Sequence, residues 1–104
     1  MELSGNILFH PKALAEFTES FNWYEEQKNG LGADFELEIE RTLNKILLHP
    51  EQYGLSKSGF SQAIVDVYPF TIVYNYTARS GMIYVASIHH TRRDPKRKFR
   101  SLED

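Results

Sequence analysis

The sequence contains no cysteine in its 104 residues, so neither disulfides nor thiolate-bound metals can support the fold. It also has no run of about 20 apolar residues, the length that a membrane-spanning helix needs. Its start, Met1 to Phe9, lacks the basic residues and apolar stretch of a signal peptide. These absences fit a reducing compartment, and the sequence therefore predicts a cytoplasmic protein that does not contact a membrane.

Aromatic residues, in contrast, are plentiful for so short a chain: seven Phe, six Tyr and Trp23. Such side chains bury large areas and can build a core in a small domain. With 41% hydrophobic and 25% charged residues, the composition is that of an ordinary globular protein. We therefore expect residues 1–104 to form a single domain with one core.

Positive charge is concentrated at the C-terminal end. Residues 89–104 hold six basic against three acidic residues, whereas residues 1–88 hold six basic against eleven acidic ones. This asymmetry favours contact with an anionic partner, either nucleic acid or an acidic protein segment, although a solvated tail would look the same. The basic residues of this segment are Arg92, Arg93, Lys96, Arg97, Lys98 and Arg100.

The first half of the sequence predicts a short strand over Asn6–Phe9 and then two helices. Pro11 suits the first turn of a helix of about 17 residues, and Gly30, which can adopt a positive φ, ends it. The second helix closes near Leu48. Apolar residues recur at helical spacing in both: Leu14, Phe17, Phe21 and Tyr24, then Phe35, Ile39, Leu43, Ile46 and Leu47. A link this short makes the pair an antiparallel hairpin.

The second half predicts a loop over residues 51–61 and then three strands. The strands are Ala63–Val67, Phe70–Tyr76 and Met82–His89, where β-branched and aromatic residues alternate with smaller ones. Because the connections between them are too short for crossovers, they should form an antiparallel meander.

The predicted fold is therefore α+β, in the order β-α-α-β-β-β. The helical hairpin should cover one face of a small antiparallel sheet and leave the other face partly open. Tyr24 continues the apolar stripe of the first helix, so the adjacent Trp23 must point elsewhere. Trp23 is thus a candidate either for exposure or for packing in a partner's groove.

Residues for metal or cofactor chemistry are sparse. His89 and His90 are adjacent on a strand and should point to opposite faces, and His10 and His49 are distant in sequence. We therefore predict no metal site and interpret the histidines as structural. No Gly-rich phosphate loop, nucleophile elbow or paired carboxylate motif is present, so no cofactor is expected.

Four stretches, in this order, resemble the small toxins of bacterial type II toxin–antitoxin systems, the RelE/ParE superfamily. The resemblance extends from about Ile7 to Phe99. The stretches are His10-Pro11-Lys12-Ala13-Leu14; Trp23-Tyr24 with Gly30-Leu31-Gly32 and Phe35; Tyr68-Pro69-Phe70-Thr71-Ile72-Val73-Tyr74; and Ile88-His89-His90 through Arg92-Arg93-Asp94-Pro95.

The resemblance implies one of two activities. In the RelE branch, Lys, Arg and Tyr side chains cleave messenger RNA on the ribosome without a metal. Where that branch carries lysines and an arginine, this chain has Gln62, Ile64 and Thr71, which can neither accept the 2′ proton nor offset phosphorane charge. Arg92 or Arg93 matches the remaining arginine, and Phe99 lies near an expected tyrosine. The chain therefore resembles the ParE branch more closely.

The resemblance to ParE implies a plasmid stabilisation toxin that inhibits DNA gyrase by binding, without catalysis. A cognate antitoxin would neutralise it, and homo- or hetero-oligomers would form through that antitoxin. Trp23 and the basic segment are the candidate residues for target or antitoxin binding. The alternatives are a ribosome-dependent RNA endonuclease that uses Arg92 or Arg93 as catalytic residues, and a decayed toxin that only binds antitoxin.

Overall fold

The computed structural model describes residues 5–91. Two helices and four strands follow one another in the predicted order: β1 (Ile7–Phe9), α1 (Pro11–Gln27), α2 (Leu31–Leu48), β2 (Ser61–Ile64), β3 (Phe70–Thr77) and β4 (Met82–His90). The predicted α+β class and the order β-α-α-β-β-β are confirmed.

The four strands form one mixed sheet in the order β1-β4-β3-β2. Strands β2, β3 and β4 make the predicted antiparallel meander. The first strand, β1, adds to the edge of β4 in parallel, with Ile7 opposite Ile83. A parallel neighbour requires a long connection, and here all the intervening elements provide it.

The core lies between α2 and one face of the sheet. The predicted stripe of α2 is buried, and Phe35, Ile39 and Leu43 are fully inaccessible. Alternate residues of the strands meet it. Each fully buried Val, Ile, Leu or Phe side chain of this layer contributes roughly 1.5–3 kcal/mol by leaving water. The sheet residues of this layer include Ala63, Ile72, Tyr74, Ile83, Val85 and Ile88.

The prediction that Leu14 begins the buried apolar face of α1 is wrong. Leu14 is exposed, and Ala13 is the α1 residue that is fully buried. The small side chain of Ala13 lets the start of the helix lie close to the sheet, since α1 begins directly after β1. Phe17, Phe21 and Tyr24 pack against the core as predicted.

The boundaries of β2 also differ from the prediction. The strand covers Ser61–Ile64, not Ala63–Val67, because the chain already turns at Asp66. The N–H of Val65 donates to the carbonyl of Phe70 at 2.9 Å, and this bond closes the turn. An apolar β-branched run is a strand signal, and here its second half forms a tight turn instead.

Candidate functional site

The predicted basic segment lies outside the described residues from Arg92 onward. Its point of departure is fixed by two hydrogen bonds of Thr91. The N–H of Thr91 donates to the carbonyl of Pro69 at 2.6 Å, and its Oγ1 lies 2.9 Å from Oγ1 of Thr71. The chain therefore leaves β4 beside the turn between β2 and β3. All six basic residues predicted to bind a partner lie outside the described residues: Arg92, Arg93, Lys96, Arg97, Lys98 and Arg100.

Trp23 lies on the outer side of α1 and is 52% exposed. Its ring meets Tyr24 edge-to-face, with centroids 5.2 Å apart. Tyr24 in turn packs inward on Phe35 and Tyr68, at centroid distances of 5.1 and 4.9 Å. Neighbouring residues of a helix point in different directions, so Tyr24 packs against the core while Trp23 is exposed. An exposed Trp is a side chain that protein interfaces favour.

The turn between α1 and α2 is held by a carboxylate from the preceding helix. Oε2 of Glu25 accepts the N–H of Gly30 at 3.0 Å, and Oε1 accepts that of Gly32 at 2.9 Å. These donors belong to the unsatisfied first turn of α2, so Glu25 acts as its cap. No sequence pattern indicates this role of Glu25, which depends on the close approach of the two helices.

Both glycines of this turn have a physical reason. Gly30 has φ +91°, a conformation that glycine adopts without a steric penalty. Gly32 has an ordinary φ but no room, since an added Cβ would lie 2.9 Å from both the Phe21 carbonyl oxygen and Oε1 of Glu25. The Gly30-Leu31-Gly32 stretch is therefore what allows the two helices to approach closely.

The turn between β2 and β3 is held from both sides. Nζ of Lys45 lies 3.1 Å from Oδ2 of Asp66, and the Tyr68 hydroxyl donates to Oδ2 of Asp34 at 2.7 Å. Burial and then this bond to Asp34 raise the pKa of Tyr68 to about 12. Two side chains of α2 thus contact the residues that flank Val67, the Lys45–Asp66 pair at the exposed surface and the Asp34–Tyr68 bond in a partly buried position.

Val67 itself has φ +74°, an uncommon conformation for a β-branched residue. The N–H of Tyr68 donates to the carbonyl of Asp66 at 2.8 Å across it, so Val67 is the central residue of a γ-turn of the rarer, strained hand. Its side chain is 81% exposed.

The positions that carry cations in the nuclease branch come together on the second face of the sheet. Ile64 pairs with Thr71, and Thr71 pairs with His89, so these three side chains form one row across three strands. Gln62 lies in the next row, opposite Val73. Of the candidate positions Gln62, Ile64 and Thr71, none carries a charge, and Thr71 is fully buried.

Beside this row, a carboxylate and a histidine share one serine. Oε1 of Glu16 accepts from Oγ of Ser87 at 2.8 Å and from the N–H of Ile88 at 3.0 Å. The same Oγ lies 3.0 Å from Nδ1 of His89. Serine stands between the acid and the imidazole, which is not the order that activates a nucleophile. The contact instead ties α1 to β4 beyond the end of β1.

The described residues lack the features of two other kinds of site. No group of three or more His, Cys, Asp or Glu side chains in residues 5–91 could hold a metal ion. Among the helices of this same range, none has the length and apolar character needed to span a membrane.

Taken together, these features define a class: a small α+β domain in which a helical hairpin with an exposed Trp covers a mixed sheet. The family of the ParE toxin of the type II toxin–antitoxin system parDE matches residues 7–95. This chain belongs to that family, and the prediction of the ParE branch is confirmed.

A solved chain of the chromosomal ParDE toxin–antitoxin system from P. aeruginosa shares the fold, with a TM-score of 0.71 and 14% sequence identity. The superposition covers 84% of this chain and 96% of that chain. A search of the curated proteins returned no match.

Proposed function

We propose that this ParE-type toxin acts in the cytoplasm, where it inhibits DNA gyrase by stoichiometric binding and is neutralised by a cognate antitoxin. The observation that supports the target is the membership of the ParE family over residues 7–95. The antitoxin partner is supported by the same membership, because the family is defined within a two-component system.

The second face of the sheet supports binding over RNA cleavage. Metal-independent cleavage needs a base for the 2′ proton and cations for the phosphorane charge. In the described part of that face, the uncharged residues Gln62, Ile64 and Thr71 occupy the positions at which the nuclease branch carries cations, so these positions supply no charge to offset a phosphorane.

Trp23 is the described residue that we assign to the gyrase contact. A half-exposed Trp at the centre of a contact can carry a large share of the binding free energy. Leu37 on α2 is exposed to a similar extent, 44% against 52% for Trp23. It therefore serves as a matched control for loss of apolar surface.

The test is supercoiling of relaxed plasmid by purified gyrase in the presence of this chain. We expect inhibition by the unmodified protein, at least tenfold weaker inhibition by Trp23→Ala, and little change for Leu37→Ala. Addition of the co-encoded antitoxin should restore supercoiling. Failure of the unmodified protein to inhibit gyrase would contradict the proposal.

A parallel assay separates the remaining alternatives. Programmed ribosomes are incubated with the chain, and cleavage of the messenger RNA is read by primer extension. Cleavage that is lost in Arg92→Ala or Arg93→Ala would establish the nuclease instead. A folded chain that affects neither gyrase nor RNA but still binds antitoxin would be a decayed toxin.

A further inference from the structure

The turn between α1 and α2 contains Asn29-Gly30, the pair of residues at which asparagine loses its amide most readily. Both residues are exposed, and both lie outside the two helices. In this reaction the backbone nitrogen of the following residue attacks the side-chain carbonyl carbon, and glycine has no Cβ to hinder that approach. Residue type, exposure and position in a turn therefore all favour deamidation of Asn29.

The attacking nitrogen is held by a carboxylate in the folded protein. The N–H of Gly30 donates to Oε2 of Glu25 at 3.0 Å and to Oε1 at 3.2 Å. The residue is also held on its other side, since the carbonyl of Gly30 accepts the N–H of Asp34 at 3.1 Å. We propose that Asn29 is a deamidation site that Glu25 keeps closed while the helical hairpin is folded.

Two physical effects of the Glu25 carboxylate oppose the attack. The nitrogen of Gly30 must give up its proton, and a negative charge beside it makes a second anion unfavourable. The nitrogen must also turn towards the side chain of Asn29, which breaks its hydrogen bond to a charged acceptor. The reaction therefore requires a local opening of the turn, and its rate follows the population of the open state.

The reaction itself needs only water. The Gly30 nitrogen loses its proton and bonds to Cγ of Asn29, the bond from Cγ to Nδ2 breaks, and ammonia leaves with that proton. Water then opens the resulting imide ring at one of its two carbonyl carbons. Opening at Cγ restores the main chain and leaves aspartate, whereas opening at the backbone carbonyl leaves isoaspartate, whose main chain runs through Cβ and Cγ. No electrons are transferred to or from the protein in either step.

Isoaspartate does not suit this turn, because it adds an atom to the main chain between two closely packed helices. An added Cβ at Gly32 would already lie 2.9 Å from the carbonyl oxygen of Phe21. The longer main chain therefore displaces Gly30 from Glu25 or separates the helices, and the modified chain loses stability. Opening of the turn is thus converted into an irreversible change, which limits how long an incompletely folded toxin persists.

The experiment incubates the full chain at neutral pH and measures loss of the Asn29 amide by mass spectrometry of its peptides. We expect Glu25→Ala to react about tenfold faster than the unmodified chain, because loss of a helix cap increases the open population by that order. Glu26→Ala is the matched control, since it removes an exposed charge one residue away, and it should change the rate less than about twofold. A slower reaction in Glu25→Ala would show that the carboxylate acts as the base, and an unchanged rate would show that it has no role; either result overturns the proposal.

Two comparisons keep the test decisive if Glu25→Ala folds poorly. Asn22 and Asn44 are exposed but helical, and both should keep their amides. Loss of all three amides at one rate overturns the assignment of Asn29 as the reactive site. The unmodified chain unfolded in guanidinium chloride should lose the Asn29 amide about tenfold faster, or more, than the folded chain. Equal rates in the folded and unfolded chain overturn the protection.

The loss of stability is tested on aged protein. The isoaspartate form and Asn29→Asp carry the same added charge, but only isoaspartate lengthens the main chain. We expect the isoaspartate form to melt about 4–8 °C below Asn29→Asp, the shift that corresponds to loss of one cap. Equal melting temperatures would show that the turn tolerates the product, against the proposal. These readouts involve neither gyrase nor the antitoxin, so their outcome is independent of the proposed function.

Discussion

Two turns contact α2, and both contain a residue with a positive φ: the turn between α1 and α2, which precedes α2 in the chain, and the turn between β2 and β3, which bonds to its side chains. The turn between α1 and α2 has a positive φ at Gly30, a residue suited to it, and a carboxylate from Glu25 closes it. The turn between β2 and β3 has a positive φ at Val67, a residue unsuited to it. Its neighbours are fixed by Lys45 and Asp34, both from α2.

The two turns therefore differ in how well the residue type suits the backbone conformation. In the first, the residue type and the backbone conformation agree, because glycine adopts a positive φ without a steric penalty. In the second, a β-branched residue adopts a positive φ between two residues that contact α2, and its side chain is exposed. Exchanging the residue types between the two turns should therefore have opposite effects.

Gly30→Val should have the largest effect. It would place a β-branched residue at φ +91°, and we expect the free energy of unfolding to fall by about 2–3 kcal/mol. Urea denaturation followed by circular dichroism measures it. The reverse exchange, Val67→Gly, is the paired control and should increase stability. A destabilisation of both variants would break the comparison.

Glu25→Ala should have an intermediate effect. It removes the acceptor of two N–H groups at the start of α2, and we expect a loss of about 1–2 kcal/mol in the same assay. The exposed neighbour Glu26 offers a matched control, since Glu26→Ala should change stability by less than about 0.5 kcal/mol. Equal effects of the two substitutions would show that Glu25 contributes only charge.

A smaller effect should appear at high pH through Tyr68. Its pKa is about 12 in the folded protein, chiefly because it is buried, and about 10 when unfolded. The folded state thus favours the protonated hydroxyl, and this contribution is complete below pH ~10 and lost as the pH rises towards 12.

The denaturation midpoint should therefore fall across that interval, and Tyr68→Phe should reduce its slope. Burial also raises the pKa of Tyr74, so part of the slope should remain in the variant. An identical slope with and without Tyr68 would contradict the assignment. Phenolate absorbance checks which tyrosines ionise.

Much of the fold follows from the sequence because its signals are local. Hydrophobic spacing identifies both helices, and a glycine marks the turn between them. What the sequence does not reveal depends on contacts between distant residues. The turn at Val67 is an example: the run Ala63–Val67 has the composition of a strand, yet the chain turns at Asp66, where Lys45 and Asp34 of α2 contact the residues on either side of Val67. The parallel placement of β1 likewise has no local signal.

The site divides in the same way. The exposure of Trp23 follows from its position beside Tyr24 on one helix. The capping role of Glu25 and the contact of Glu16 with Ser87 join residues that no periodicity relates. The composition shows that the end of the chain is basic. It does not identify the anionic partner, because nucleic acid and an acidic protein segment would both complement that charge. The assignment of Arg92, Arg93, Lys96, Arg97, Lys98 and Arg100 to binding stays a prediction.

The parallel pairing of β1 with β4 has a consequence for how the toxin is made. Ile7 is synthesised long before its neighbour in the sheet, Ile83, because all the other elements of the described fold except β4 lie between them in the sequence. Contacts between residues so far apart in sequence form late. During translation the first strand must therefore wait without a partner, and a nascent or truncated chain that stops before β4 cannot assemble the sheet. The cell thus acquires a folded toxin only once β4 has left the ribosome.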